Sequence, residues 1–159
     1  MTPVYLETVS LIERLYRQFL DVVKDELDRL EVDDINNVQC LILYNIGKDE
    51  LTVGELTQRG CYMGTNVTYN LKKMIEAGYV TQQRSPRDKR SVRVRLSTSG
   101  LELVARLAIV FDAHSEQLAK EFGENELNTI NGRLRILERF WTDILDHGGV
   151  PVRRSRHAA

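Results

Sequence analysis

Residues 65–73 carry Thr65, Asn66, Thr68, Tyr69, Asn70 and Lys73 within nine positions. Asparagine amides offer a donor and an acceptor together and suit adenine edges. Hydroxyls and an ammonium suit bases or phosphates. In a helix, Thr65, Asn66, Tyr69, Asn70 and Lys73 turn one way, and Val67, Leu71, Met74 and Ile75 turn the other. Taken alone, an ordinary amphipathic helix with a polar outer face explains this pattern equally well. A second cluster follows at Arg84, Arg87, Lys89 and Arg90, around the turn Ser85-Pro86-Arg87-Asp88. Cations on a turn match the concentrated negative potential of a narrow minor groove. Asp88 is placed to orient Arg90 through a charge-assisted hydrogen bond. A plain β-turn with surface charges is the alternative.

The charge distribution bears on that choice. The whole chain of 159 residues has net charge -1, which is not what a polyanion partner selects. Residues 52–97, however, hold nine Lys/Arg against three Asp/Glu, net +6, while residues 1–51 are net -6 and residues 98–159 net -1. A basic segment of under fifty residues is the electrostatic footprint of a nucleic-acid face.

Other chemistry finds little support. His114, His147 and His157 lie far apart and match no metal-ligand spacing. No nucleophile elbow or other catalytic signature surrounds any serine, so neither an enzyme nor a cofactor or metal is expected. Cys40 and Cys61 form neither a CxxC pair nor a staple framework. Cys40 sits in an apolar run and reads as a small core residue. Cys61 precedes the polar helix, and a thiol-based sensor stays open there. No apolar run approaches the roughly 18 to 20 residues that span a bilayer, and the first residues lack a basic-then-apolar leader. A reducing cytoplasm with no membrane partner is the expectation.

The elements that must position these residues follow from periodicity. Residues 5–30 predict one long helix, with Ile12, Leu15, Tyr16, Phe19, Val23, Leu27 and Leu30 at spacings of three and four. Asp34 is the expected cap of a second helix with Ile35, Val38, Leu41, Ile42 and Tyr44 mostly on one side. Thr52 and Glu55 fit a capping box for a short third helix ending near Gly60. Residues 65–77 form a fourth helix, which Gly78 stops. Residues 79–84 are strand-like, and Ser91 to Leu96 alternates strictly, so the two make a hairpin with a basic tip. Two more helices follow, with stripes through Leu101, Val104, Phe111 and Leu118, and through Leu127, Ile130, Leu134, Leu137, Trp141 and Ile144. The expected fold is mainly α with a small β wing: a winged helix-turn-helix core at 32–100, flanked by helices at 1–31 and 101–147 and a basic, disordered tail at 148–159.

From Leu51 to Gly100 the chain resembles the winged-helix core of the MarR family of bacterial regulators. The residues that carry the resemblance are Leu51-Thr-Val-Gly-Glu-Leu56, Val67-Thr-Tyr-Asn-Leu71 and Glu76-Ala-Gly-Tyr-Val80. The most specific stretch is Arg84-Ser-Pro-Arg-Asp-Lys-Arg-Ser-Val-Arg-Val-Arg-Leu-Ser-Thr-Ser-Gly100. One departure is Asn70, where the family more often has an apolar residue. The resemblance implies a cytoplasmic, nucleoid-associated bacterial or archaeal repressor that binds a pseudo-palindromic operator in double-stranded DNA as a homodimer, with Arg90 entering the minor groove. It implies interlocking terminal helices, for which Ile12, Leu134, Leu137, Trp141 and Ile144 are the candidate dimer contacts. It also implies a small, partly apolar effector, with Tyr16, Phe19, Gln39, Phe111 and His114 as candidate lining residues. A winged helix used only for protein interaction, or a thiol-based redox regulator, are the alternatives.

Overall fold

The computed structural model describes residues 3–60, 64–84 and 92–149. Its element order is α1 (Val4–Arg29), α2 (Asn37–Ile46), β1 (Leu51–Thr52), α3 (Val53–Gly60), α4 (Gly64–Glu76), β2 (Val80–Arg84), β3 (Val92–Leu96), α5 (Thr98–Phe122) and α6 (Glu124–His147). Two compact units result, residues 1–111 and 112–159. Mostly helix with a small sheet is the architecture the hydrophobic spacing predicts.

In the first unit, α1 buries only its C-terminal part, at Val23, Glu26 and Leu27. The same stripe continues toward the N-terminus through Phe19, Tyr16 and Tyr5, which stay exposed, with Ile12 half-buried among them. The helix ends in a reversal: the Val32 N–H donates to the Leu27 carbonyl at 3.0 Å and the Glu31 N–H to the Asp28 carbonyl at 3.1 Å. Glu31 takes the left-handed conformation this motif needs, at φ 57°, where glycine is the usual occupant.

The cap of α2 is Asn36, not Asp34. The Asn36 side chain accepts from the Gln39 N–H, and the Gln39 side chain accepts from the Asn36 N–H, a closed capping box. Asp34 instead accepts a 2.9 Å hydrogen bond from the Tyr79 hydroxyl. Helix α2 is the core of the unit, with Cys40, Ile42, Leu43 and Ile46 all buried.

The capping box at the head of α3 forms as expected, Glu55 accepting from the Thr52 N–H at 2.7 Å and Thr52 Oγ1 from the Glu55 N–H at 3.1 Å. Hydrogen bonds from the Thr52 N–H and hydroxyl hold the Glu55 carboxylate below its usual pKa, Arg93 adding to the effect. Helix α4 ends at Gly78, whose φ of 84° disfavours any side chain; the Tyr79 N–H then returns to the Met74 carbonyl.

The sheet is antiparallel in the order β1-β3-β2. Val80 faces Leu96 and Arg84 faces Val92 across the hairpin. Leu51 and Thr52 pair with Val94 and Arg93, a third strand too short to leave a periodic signal. Val94 and Leu96 enter the core while Arg93 and Arg95 stay outside. Ser97 joins the sheet to α5: its hydroxyl oxygen accepts from the Gly100 N–H and its O–H donates to the Gly78 carbonyl. Leu103 and Leu107 of α5 complete the core of this unit.

In the second unit, α6 buries none of its apolar stripe fully: Leu134 and Ile130 are exposed, and Leu137, Trp141 and Ile144 half-buried. Among the described residues no helix is long and apolar enough to cross a membrane.

Candidate nucleic-acid interface

Helix α4 is built as the sequence pattern requires. Val67, Leu71 and Met74 are buried against the core, with Ile75 half-buried beside them. Asn66, Thr68 and Lys73 are exposed, and Tyr69 is 62% exposed, a large aromatic ring presented to solvent. Asn70 departs from this face. Its Nδ2 donates to the Asn66 carbonyl at 2.8 Å, and its Oδ1 accepts from Gln39 Nε2 at 3.1 Å. The Thr65 side chain lies outside the described residues.

The cations divide into two groups. Arg59, counted in the basic segment, is a brace: its Nη1 donates to the Asn45 carbonyl at 3.0 Å and to Asp49 Oδ2 at 2.7 Å, tying the end of α3 to the turn before β1. Lys73 pairs with Glu76 at 3.2 Å and Lys72 with the same carboxylate at 4.0 Å. The bond to Glu76 raises the pKa of Lys73, so it is fully charged near neutrality. Exposed pairs of this kind are weak and screened by solvent, so an anion could displace the carboxylate at little cost. Arg84, Arg93 and Arg95 project from the hairpin as exposed side chains. The register sets Arg93 and Arg95 on one face beside Gln83 and Thr81. Arg87, Asp88, Lys89 and Arg90, the expected wing tip, lie outside the described residues, as does Cys61.

Between α4 and the hairpin runs a cleft of about 360 Å³, with Val53, Leu71, Ile75, Val92 and Val94 as its floor. Thr68, Lys72, Glu76 and Gln82 line it too. Helix α4 and the β2–β3 hairpin thus stand as two ridges with a groove between them.

The residues proposed for an effector fall in different settings. Phe19 and Phe111 meet with ring centroids 6.0 Å apart, and Tyr44 packs edge-on against Phe111 at 5.4 Å. Tyr44 is legible in the sequence only as a member of the α2 stripe; the fold alone brings it to Phe111. Tyr16 lies one turn before Phe19 and is exposed. Gln39 is 6% exposed, and both ends of its amide are engaged, in the α2 cap and with Asn70. His114 belongs to the second unit. Ile12 is half-buried on α1. Cys40 is fully buried, and burial pushes its thiol pKa to about 12, which leaves it protonated and inert. Among the described residues no group of three or more His, Cys, Asp or Glu is placed to hold a metal.

The sequence model of the MarR family matches residues 33–91, the stretch from just before the α2 cap to the start of β3. The exopolysaccharide II synthesis transcriptional activator ExpG of Rhizobium meliloti (strain 1021) is 37% identical over 145 residues, spanning 91% of this chain and 75% of that protein. The chain belongs to the MarR family. Solved structures give the same fold. Streptococcus pneumoniae FabT, crystallised in complex with DNA, superposes with TM-score 0.73 at 20% identity, over 88% of this chain and 99% of that one. A mutant of E. coli MarR, complexed with operator DNA, gives 0.70 at 23% identity over 84% and 94%. As a MarR-family chain this protein is a transcriptional regulator and not an enzyme.

Proposed function

We propose that this regulator binds double-stranded DNA as a homodimer, with α4 in the major groove and the β2–β3 wing in the adjacent minor groove. The observation that carries the reading is the outer face of α4. Asn66, Thr68, Tyr69 and Lys73 are exposed on a helix whose other side is locked into the core, next to a hairpin that exposes Arg84, Arg93 and Arg95. A rigidly seated helix with a projecting polar face is what base readout needs. The crystal structures of FabT with DNA and of a MarR mutant with operator DNA support the same partner. The wing tip residues Arg87, Lys89 and Arg90, oriented by Asp88, belong to the proposed contact set, with Thr65.

The dimer reading rests on apolar surface. Residues 1–31 and 101–147 are proposed as the association region, because the apolar stripe of α1 exposes Tyr5, Tyr16 and Phe19 and that of α6 exposes Ile130 and Leu134 and leaves Leu137, Trp141 and Ile144 half-buried. A stripe this long on a folded chain marks an association surface, and two-fold pairing covers it with itself. The operator then has two half-sites about one turn, roughly 10 to 10.5 bp, apart. A small, partly apolar effector seated at the aromatic group of Phe19, Tyr44 and Phe111 is proposed to shift the spacing of the two reading helices, through its differential affinity for the two forms. On the sign of control, the family resemblance favours repression and the likeness to an activator favours activation; a reporter fused to the bound promoter, with and without the regulator, separates them.

The test of DNA binding is recovery of fragments from a randomised duplex library, followed by gel shifts at increasing salt. Enrichment of a two-fold-symmetric site, with affinity falling steeply as salt rises, is the expected result. A chain that enriches no duplex at low salt overturns the proposal.

A further inference from the structure

We infer that Asn70 is a positioning residue, not a base reader: with Gln39 it fixes the pose of the reading helix against the first turn of α2. The inference rests on the DNA-binding reading above and concerns how α4 is held for it. The geometry is a relay with one allowed polarity. Gln39 Oε1 must face the Asn36 N–H, which only donates, at 3.0 Å. Asn70 Nδ2 must face the Asn66 carbonyl, which only accepts, at 2.8 Å. Each amide is therefore oriented by a backbone group of its own helix or cap. What remains is one N–H of Gln39 and the carbonyl of Asn70, and these meet at 3.1 Å. Flipping either amide sets donor against donor or acceptor against acceptor.

Asn37, the next residue after the Asn36 cap, donates from Nδ2 to the Leu20 carbonyl at 2.9 Å. The head of α2 is thus tied by separate hydrogen bonds to α1 at Leu20 and to α4 at Asn70. Asn66, whose carbonyl ends the Gln39–Asn70 relay, carries a side chain on the face proposed for DNA. With Gln39 at 6% exposure, its amide is screened from water, so losing the bond to Asn70 costs more than a surface bond would. An apolar residue at position 70 packs there without fixing direction. The Asn70–Gln39 bond adds a directional constraint on the roll and advance of α4.

The experiment uses the full chain, with Asn70→Leu, Gln39→Met and the double variant, and a duplex selected by the wild-type chain from a randomised library. Gln39→Met keeps the Asn36 side-chain acceptor of the cap and fills a similar volume but also removes the bond from the Asn36 N–H, so urea unfolding of each variant measures that part separately and verifies that it is folded. The expected result is a loss of affinity for the selected duplex of roughly three- to tenfold in either single variant, the size of one net hydrogen bond. The double variant should lose little more than either single one, and the base preferences at every position of the site should be unchanged. Relaxed preference at one base pair, with additive losses, makes Asn70 a base reader and overturns the inference. Lower unfolding stability with unchanged affinity makes the pair merely structural and also overturns it. If the wild-type chain enriches no duplex, the DNA-binding reading itself fails and this assignment falls with it. Enrichment followed by either of the other outcomes removes the assignment alone.

Discussion

Replacing Gly100 by alanine is expected to destabilise the first unit, although alanine favours a helix. A Cβ built on Gly100 falls 2.2 Å from the Tyr79 carbonyl oxygen, and 3.2 Å from both the Tyr79 carbonyl carbon and Leu96 Cβ. An ordinary C···O contact is about 3.3 Å or longer, so one backbone must retreat by roughly 1 Å. That oxygen is not free to retreat: it accepts from the Ser97 N–H at 2.9 Å, and Ser97 in turn binds the Gly78 carbonyl and the Gly100 N–H. Overpacking against a fixed backbone costs about 1–3 kcal/mol and a strained hydrogen bond about 1 kcal/mol more. The helix-propensity gain returns about 0.5–1 kcal/mol. The net is a loss of about 2 kcal/mol, or a Tm lower by about 4–8 °C for a chain of this size. Gly132→Ala in α6 is the control, because a Cβ there meets nothing within 4 Å; it should gain about 0.5–1 kcal/mol. Urea titrations at one fixed protomer concentration check both, since the proposed dimerisation would make stability concentration-dependent. A Gly100→Ala chain as stable as wild type would refute the close-contact argument.

Further expectations concern titration, association and the interface. Tyr79→Phe removes the bond to Asp34 and should cost about 1 kcal/mol; because burial and Asp34 raise the Tyr79 pKa from 10.0 to about 12, the wild-type advantage should be full below pH 10 and vanish as pH climbs to 12, which unfolding at several pH values measures. In a Cys61→Ser chain, Cys40 should resist a thiol reagent at pH 8 until urea is added; the stability tied to its protonated form is present below pH 9 and is lost between about pH 9 and 12. Leu137→Asp should shift the light-scattering mass toward the monomer at micromolar concentration and weaken DNA binding with it; an unchanged mass removes Leu137 from the interface. Arg90→Ala should weaken duplex binding several-fold with unchanged urea unfolding, which a gel shift beside a denaturation curve tests.

Local signals are readable in the sequence and non-local ones are not. The alternation of Val92, Val94 and Leu96 foretells β3, and Thr52 with Glu55 foretells the α3 cap, because each depends only on neighbours in the chain. The α2 cap is also written there, as Asn36 followed three residues later by Gln39, but the acidic run ending at Asp34 draws the eye two residues early. Nothing in the sequence ties Asp34 to Tyr79, 45 residues away, or Tyr44 to Phe111; those contacts exist only after the helices pack. The outer face of α4 is legible as a stripe. That one of its members, Asn70, turns back to Gln39 is not, since a helical wheel shows direction but not partners. The basic segment is likewise legible as a total charge, yet Arg59 spends its guanidinium on Asn45 and Asp49.

The edges of the three-stranded sheet have a consequence for how this chain behaves at high concentration. An open strand edge is a template on which another chain can add a strand, the first step toward aggregation. Here one edge is β1, only two residues long, and the other is β2, whose exposed residues are Thr81, Gln82, Gln83 and Arg84. Strand β3, which alternates Val92, Val94 and Leu96 with Arg93 and Arg95, is held between them. A hairpin proposed to project into a DNA groove therefore carries its stickiest strand in the centre, with a stub on one side and a polar, charge-ended strand on the other. Among the described residues, the sheet thus offers a neighbouring chain only a two-residue edge and a polar one.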